Sequence, residues 1–486
     1  MSGEPVRLYN STASTPTQRE AFTSGNVPVA VYGLGKMGLP LAAVYAETAG
    51  NVIGVDIDPD VVETINDGGC HVTGEPELPE VVADQVDRGR LEATTDGAAA
   101  AARASVHVII VPTLVDDDEP DLSTIEAVVE DIAEGLSPGD LVIAESTLPP
   151  GTCEDVIYPH LAAESGLSTG EFGVAFCPER TASGTALRDI RGAYPKVVGG
   201  IDDESARVAS LLYSELSSNE IHVVRDTTTA EAVKVFEGVY RDVNIGLANE
   251  LGRIADDLGI SVREAIETAN HIPMCHLHDP GPGVGGHCIP YYPHFLLAQT
   301  EDPMPVTRTA RETNDEMPAF TVEKLERELA ASGTDIADAT VLVLGITYRP
   351  GVEETRASPA LGVIERLDEL GAEVVASDPL VDPAEFGAQP VALEELPDRD
   401  FDGAILVTPQ AAFDTIDWDE IDPMVVLDGR DALDLEDSHH EYHTLGGSVA
   451  DRPKIIEGEG NENDEVPEYL PARNEDASAS TSRADQ

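Results

Sequence analysis

The chain's 486 residues exceed what one hydrophobic core supports, since cores stop growing at roughly 250 to 300 residues, and so predict two or three domains. With 92 acidic against 29 basic side chains the formal charge is −63, which disfavours nucleic acid and anionic membrane as partners and points to a halophilic cytoplasm whose cations screen the carboxylates. Five cysteines, without a signal peptide or an apolar run of ~20 residues, argue for free thiols in a soluble, cytoplasmic protein rather than for a disulfide framework or a membrane span.

In chain order, residues 1–26 are Ser/Thr-rich and aperiodic and are expected to be a disordered tail; the acidic stretch 456–486 is expected to be another. Between them, β-branched runs at 29–32, 52–56, 106–111 and 141–144 alternate with helical patterns and predict buried parallel strands. Asp58-Pro59 supplies a cap and a first-turn proline for the helix after the second run. From 227 to about 260 the pattern is one long helix, followed by another capped by Ser261. A second α/β series has strands at 340–345, 373–377, 403–407 and 424–427, with a helix over 357–370. The predicted fold class is α/β, with two Rossmann-like doubly wound lobes joined by a long helical middle segment.

Gly33-Leu34-Gly35-Lys36-Met37-Gly38 follows the first strand and opens a helix, so its backbone amides can approach a pyrophosphate. Asp56, at the end of the second strand, is placed to accept from a ribose hydroxyl, which favours NAD over NADP. Thr113 in Val-Pro-Thr and Thr147 in Ser-Thr add hydroxyls at later strand ends. The most specific segment is 281–290, Gly-Pro-Gly-Val-Gly-Gly-His-Cys-Ile-Pro, where glycines bring backbone N–H groups close to Cys288. That loop alone is compatible with a nucleophilic Cys288 and with a packed structural one. His271, Cys275, His276, His278 and His287 lack the paired spacing of standard zinc sites, so no metal is expected. Only five basic residues are Lys (Lys36, Lys196, Lys234, Lys324 and Lys454), which singles out each one retained.

Seven ordered segments, GLGKMGLPLA, VPT, ESTLPPGT, CPER, EAVKVFEGVYRDVNIGLANE, GPGVGGHCIP and GITYRPGVEETRASPA, make the chain from about 29 to 450 resemble the UDP-glucose/UDP-N-acetylmannosamine dehydrogenases. The resemblance implies an NAD-binding lobe over 27–225, a helical dimer-forming domain with the Cys loop over 226–317, and a UDP-binding lobe over 318–455. It implies a four-electron oxidation of a UDP-sugar C6 alcohol through a Cys288 thioester, in a homodimer or higher oligomer. Lys234 would stabilise charge on the reacting oxygen, Glu179 would act as base in hydrolysis, and Thr147 would position water or cofactor. Gly33, Gly35, Lys36, Met37, Gly38, Asp56, Thr113, Thr147 and Arg356 would hold NAD. Sugar and UDP contacts would come from Arg180, Thr181, Lys234, Arg241 and Asn244, together with Gly285, Gly286, Tyr348 and Arg349. Pro-Glu-Arg at Arg180, and His287 before the cysteine, lean towards UDP-N-acetylmannosamine or its gluco epimer.

Three positions depart from the pattern. Gly238 stands where the family has Asn, Tyr292 where it has Asp, and Met274 where the amino-sugar members have Arg. UDP-glucose oxidation, a single-step hydroxyacid dehydrogenase and a non-catalytic NAD-binding scaffold are the alternatives; the second lobe and the Cys288 loop count against the single-step enzyme, and Cys288, Lys234 and Glu179 against the scaffold.

Overall fold

The computed structural model describes residues 6–447 apart from 117, 182 and 183, so the expectation for 456–486 lies outside the described residues. Ten strands form before the long helix: β1 Val29–Tyr32, β2 Val52–Val55, β3 Leu91–Thr94, β4 Val106–Ile109, the small hairpin β5 Leu114–Asp116 and β6 Glu119–Asp121, β7 Leu141–Ala144, β8 Gly173–Phe176, β9 Lys196–Gly200 and β10 Ile221–Val223. Eight of them make one sheet in the order β10-β9-β8-β7-β4-β1-β2-β3. β9 is antiparallel to β8, whereas β1, β2, β3, β4, β7 and β8 pair in parallel.

Alternation sends Val29 and Val31 into the core on one face of this sheet, and Ala30 and Tyr32 into the core on the other. Both faces are therefore covered, which is why the strands read as unbroken apolar runs. The order reverses direction between β1 and β4, and in such sheets a ligand crevice opens at the carboxyl ends of the strands on either side of that reversal.

The helix Thr227–Arg253 ends at Ile254, and a separate turn, Ala255–Leu258, follows; the continuous helix expected to about 260 is interrupted there. Ser261 caps Val262–Ala269 as expected, accepting from the Glu264 N–H. The second lobe is a parallel sheet of β11 Thr340–Leu344, β12 Glu373–Ser377, β13 Gln389–Pro390, β14 Gly403–Leu406, β15 Val425–Asp428 and β16 Glu441–Thr444, ordered β13-β12-β11-β14-β15-β16. Its helix spans Pro359–Leu370 and starts two residues later than expected, because Ser358 is the cap and Ala357 takes a left-handed φ of 50°.

The sequence expectation fails at the amino-terminal segment. Residues 6–26 are folded onto the first lobe, with Leu8, Tyr9 and Phe22 buried and a helix over Thr15–Thr23 capped by Ser14. Arg7 Nε pairs with Asp140 at 2.9 Å, and the Tyr9 hydroxyl donates to Asp202 at 2.6 Å. These few apolar anchors are too scattered to give a periodic signal, yet each finds a seat on the lobe.

Glu231, in the first turns of the long helix, is fully buried and accepts the N–H groups of Gly151 (2.6 Å) and Cys153 (2.8 Å). Burial pushes its carboxyl up to about 7, against the pull of those N–H groups. The native state thus holds this proton at pH values where the unfolded chain has released it, so the stability contribution is full below the ordinary carboxylate pKa. It is lost as pH rises towards about 7, by up to about 3 kcal/mol. Urea midpoints at pH 5 and pH 7.5 are expected to differ less in Glu231→Gln than in the native protein.

Candidate active site

The first glycine loop is built by close approach. Gly33 takes φ +96°, and a Cβ there would strike the Ile110 carbonyl; a Cβ on Gly38 would overlap the Gly33 carbonyl. Gly35, by contrast, faces open space. The Asp56 carboxylate locks the turn, taking the Leu34 N–H at 2.9 Å and the Asp58 N–H at 3.0 Å. Met37 precedes the helix Gly38–Ala49, and its sulfur accepts from the Thr181 hydroxyl at 3.1 Å. Thr113 Oγ1 is enclosed without a hydrogen-bond partner, an orphan that costs free energy unless something bound satisfies it. An open Gly35, a fixed carboxylate and an orphan hydroxyl fit a dinucleotide, with the loop amides on its phosphates.

Across this crevice lies the thiol. Cys288 is exposed, while Cys153 and Cys177 are buried and all five cysteines are unpaired. Its loop is anchored at Gly281, whose N–H donates to Asn249 Oδ1 at 2.9 Å, and at Gly286, whose N–H donates to the Arg356 carbonyl at 2.9 Å. Gly285 and Gly286 lie so close to Tyr348 that a Cβ on either would enter its side chain. The Cys288 carbonyl then accepts the Tyr292 N–H at 3.0 Å and opens the helix Tyr292–Leu297.

The other predicted reactive groups converge here. The Lys234 ammonium donates to the Glu179 carbonyl and lies 5.9 Å from the centre of the Tyr292 ring. Burial lowers its pKa, while Cys288 and Glu179 pull it back up. Glu179 is 8% exposed; one carboxylate oxygen takes the Thr181 N–H, and the other is enclosed with no partner. Thr147 Oγ1 lies 3.3 Å from the Tyr292 hydroxyl.

Behind Glu179 is a buried layer of Glu145, which the sequence did not single out, and Lys196, one of the five lysines that it did. Burial pushes Glu145 up to about 7, and it accepts from the Tyr213 hydroxyl at 2.7 Å. Burial opposes charge on Lys196, but Glu179, Cys177 and Glu145 together raise its pKa.

Other residues are placed more individually. Arg180 donates to Glu237 at 3.0 Å and to the Pro195 carbonyl. The Arg349 carbonyl accepts from Thr347 at 3.3 Å, and the Arg241 charge acts on both His278 and Tyr292. Asn244 is engaged in the histidine-rich loop, where its carbonyl takes the His278 N–H at 2.9 Å and its amide reaches the His276 carbonyl. Met274, in the same loop, is 80% exposed. Glu354, which sequence reading missed, touches His287 Nε2 and lies 3.6 Å from Lys36 Nζ, so one carboxylate links the nucleotide loop to the residue before Cys288.

Three family profiles match in series: the NAD-binding domain of the UDP-glucose/GDP-mannose dehydrogenase family over residues 27–217, its central domain over 228–316 and its UDP-binding domain over 342–435. The chain belongs to the UDP-glucose/GDP-mannose dehydrogenase family. It is thus an NAD-dependent oxidoreductase whose amino-terminal lobe is the family's NAD-binding domain and whose carboxyl-terminal lobe is its UDP-binding domain.

Among its relatives, the UDP-N-acetyl-D-mannosamine dehydrogenase of Pyrococcus horikoshii is 35% identical over 83% of this chain and 96% of its own. That of Methanocaldococcus jannaschii is 40% identical over 72% of this chain and 78% of its own. The solved Pyrococcus horikoshii structure superposes with a TM-score of 0.81 at 33% identity, covering 86% of this chain and 99% of that one. No helix among the described residues is long and apolar enough to cross a membrane.

Proposed function

We propose that this chain oxidises the C6 alcohol of UDP-N-acetyl-D-mannosamine to the carboxylate, reducing two NAD per turnover. The convergence of Cys288, Lys234, Glu179 and Thr147 on one crevice carries the reading, and the names of the relatives above favour the mannosamine sugar over glucose. Two NAD, bound in turn, would each accept one hydride. The Cys288 thiolate adds to the intermediate aldehyde, forming a C–S bond while the carbonyl electron pair moves onto oxygen beside the Lys234 ammonium. After the second oxidation a thioester remains. Water adds to its carbon and passes a proton to Glu179, and the C–S bond breaks with its electron pair returning to sulfur.

Arg180, Thr181, Arg241, Gly285, Gly286, Tyr348 and Arg349 are assigned to the sugar nucleotide, and Arg356 with the first glycine loop to NAD. Asn244 is assigned instead to holding the histidine-rich loop, because both ends of its amide are used there. Phe236, Tyr240 and Leu247, exposed at helical spacing on the long central helix, support a homodimer through that helix. The acidic charge supports a salt-rich cytoplasm.

The test is NADH release in molar KCl with UDP-N-acetylmannosamine, UDP-N-acetylglucosamine and UDP-glucose. Two NADH per UDP-N-acetylmannosamine, with an acidic product and the highest kcat/KM of the three, is the expected result. One NADH with a neutral product, or a preference for UDP-glucose, overturns it.

A further inference from the structure

Gly238 and Tyr292 look in the sequence like two separate losses of polar side chains. In the fold they are one feature: a Cβ on Gly238 would fall within the Tyr292 ring, against Cγ, Cδ2 and Cε2. Gly238 lies one turn along the helix from Lys234, whose ammonium stands 5.9 Å from the same ring. The ring thus fills the space that any side chain at 238 would occupy. It is itself 5% exposed and backed by Phe295 and Val235. Its hydroxyl lies 3.3 Å from Thr147 Oγ1 and within electrostatic reach of the Cys288 sulfur, the Cys288 carbonyl itself taking the Tyr292 N–H at 3.0 Å.

We propose that Tyr292 is a catalytic residue of this enzyme, its hydroxyl donating to the Cys288 thiolate and oriented by Thr147, and that Gly238 is the cavity that admits it. The proposal deepens the assignment of Cys288 as nucleophile and rests on it. Burial, with the negative sulfur beside it, pushes the phenol well above its ordinary pKa, so it keeps its proton and acts as a donor throughout the physiological range. A thiolate has no hydrogen to give, so the bond between the two runs from oxygen to sulfur. With the phenol's single O–H directed at sulfur, the hydroxyl of Thr147, 3.3 Å away, is left to donate to the Tyr292 oxygen.

The donor serves two steps. Before attack it offers the thiolate a hydrogen-bond donor. In thioester hydrolysis the electron pair of the breaking C–S bond comes to rest on sulfur, and the same O–H stabilises that leaving group without surrendering its proton.

Alkylation of Cys288 by iodoacetamide at pH 7 tests this without any sugar, so it is independent of the substrate assignment. Mass spectrometry of the Cys288 peptide keeps the other four thiols out of the measurement. A hydrogen bond to a charged group sets the thiolate fraction by roughly ten- to a hundredfold, but losing it also makes the remaining thiolate about half as many powers of ten more nucleophilic. Tyr292→Phe is therefore expected to slow alkylation about three- to tenfold. Gly238→Ala, which displaces the ring, is expected to slow it similarly, and the double variant no further, because both act through one hydroxyl. With UDP-sugar, kcat falls while KM holds. An unchanged alkylation rate in a Tyr292→Phe protein of native near-UV dichroism overturns the proposal. If that variant does not fold, a native alkylation rate in Gly238→Ala overturns it equally.

Discussion

Cys288→Ala is expected to abolish steady-state oxidation of UDP-sugar to the carboxylate, with kcat lower by on the order of 10⁴-fold or more, while NAD binding stays within about twofold of native. The size follows from the loss of the nucleophile itself: neighbouring donors stabilise charge only on intermediates that the thiolate creates, so Lys234 and Glu179 do little alone. NAD affinity is expected to be spared because the residues proposed to hold the cofactor, the loop 33–38, Asp56 and Thr113 of the first lobe and Arg356 of the second, are all left in place. Cys288→Ser separates two causes of inactivity. A serine keeps the size of the side chain but is a poor nucleophile at neutral pH, so it is expected to stop at one NADH per sugar if the first oxidation needs no covalent bond. Stopped-flow absorbance at 340 nm with excess enzyme reads that stoichiometry directly. Full turnover in Cys288→Ala would dismiss the thioester route.

Arg311→Ala is expected to lower unfolding stability by about 3–5 kcal/mol. Arg311 is 4% exposed and its guanidinium pairs with Asp242, which is fully buried. Deleting the cation leaves that carboxylate without its counter-charge in a medium that solvates it poorly. Asn314 donates to Asp242 at 2.9 Å and to its carbonyl at 3.0 Å, and accepts from Asn249 at 2.8 Å. Asn249 in turn takes the Gly281 N–H at 2.9 Å. The damage is therefore expected to reach the start of the Cys288 loop and to lower kcat as well. Asp242→Asn, which keeps the shape and removes the charge, is expected to cost less. Guanidinium-chloride unfolding at constant KCl measures both.

Which parts of the molecule could be read from the chain follows from how local each signal is. The strands around β1 announce themselves because parallel strands covered on both faces carry unbroken β-branched runs, and the glycine loop because three glycines at fixed spacing follow such a run. Cys288 stands out because its glycines are consecutive neighbours. Glu354 left no such trace: a carboxylate bridging Lys36 and His287 draws on residues more than three hundred positions apart in the chain, and nothing near 354 distinguishes it from the protein's many other acids. Glu145 is similar, an ordinary acid at a strand end until the sheet buries it, whereas Lys196 is marked in the chain only by the scarcity of lysine and by no local motif. Gly238 and Tyr292 were visible only as departures from a family pattern; that one makes room for the other is a fact of packing, unavailable to any comparison made one position at a time.

The segment from Val6 to Asn26 has a practical consequence for anyone dividing this protein. The family's first domain begins at residue 27, and a fragment cut there would excise Leu8, Tyr9 and Phe22 and leave their apolar seats facing water. On a polypeptide that otherwise covers itself in carboxylates, those bare seats would be the natural starting points for self-association. The independently folding unit is longer at this end than the homology that identifies it.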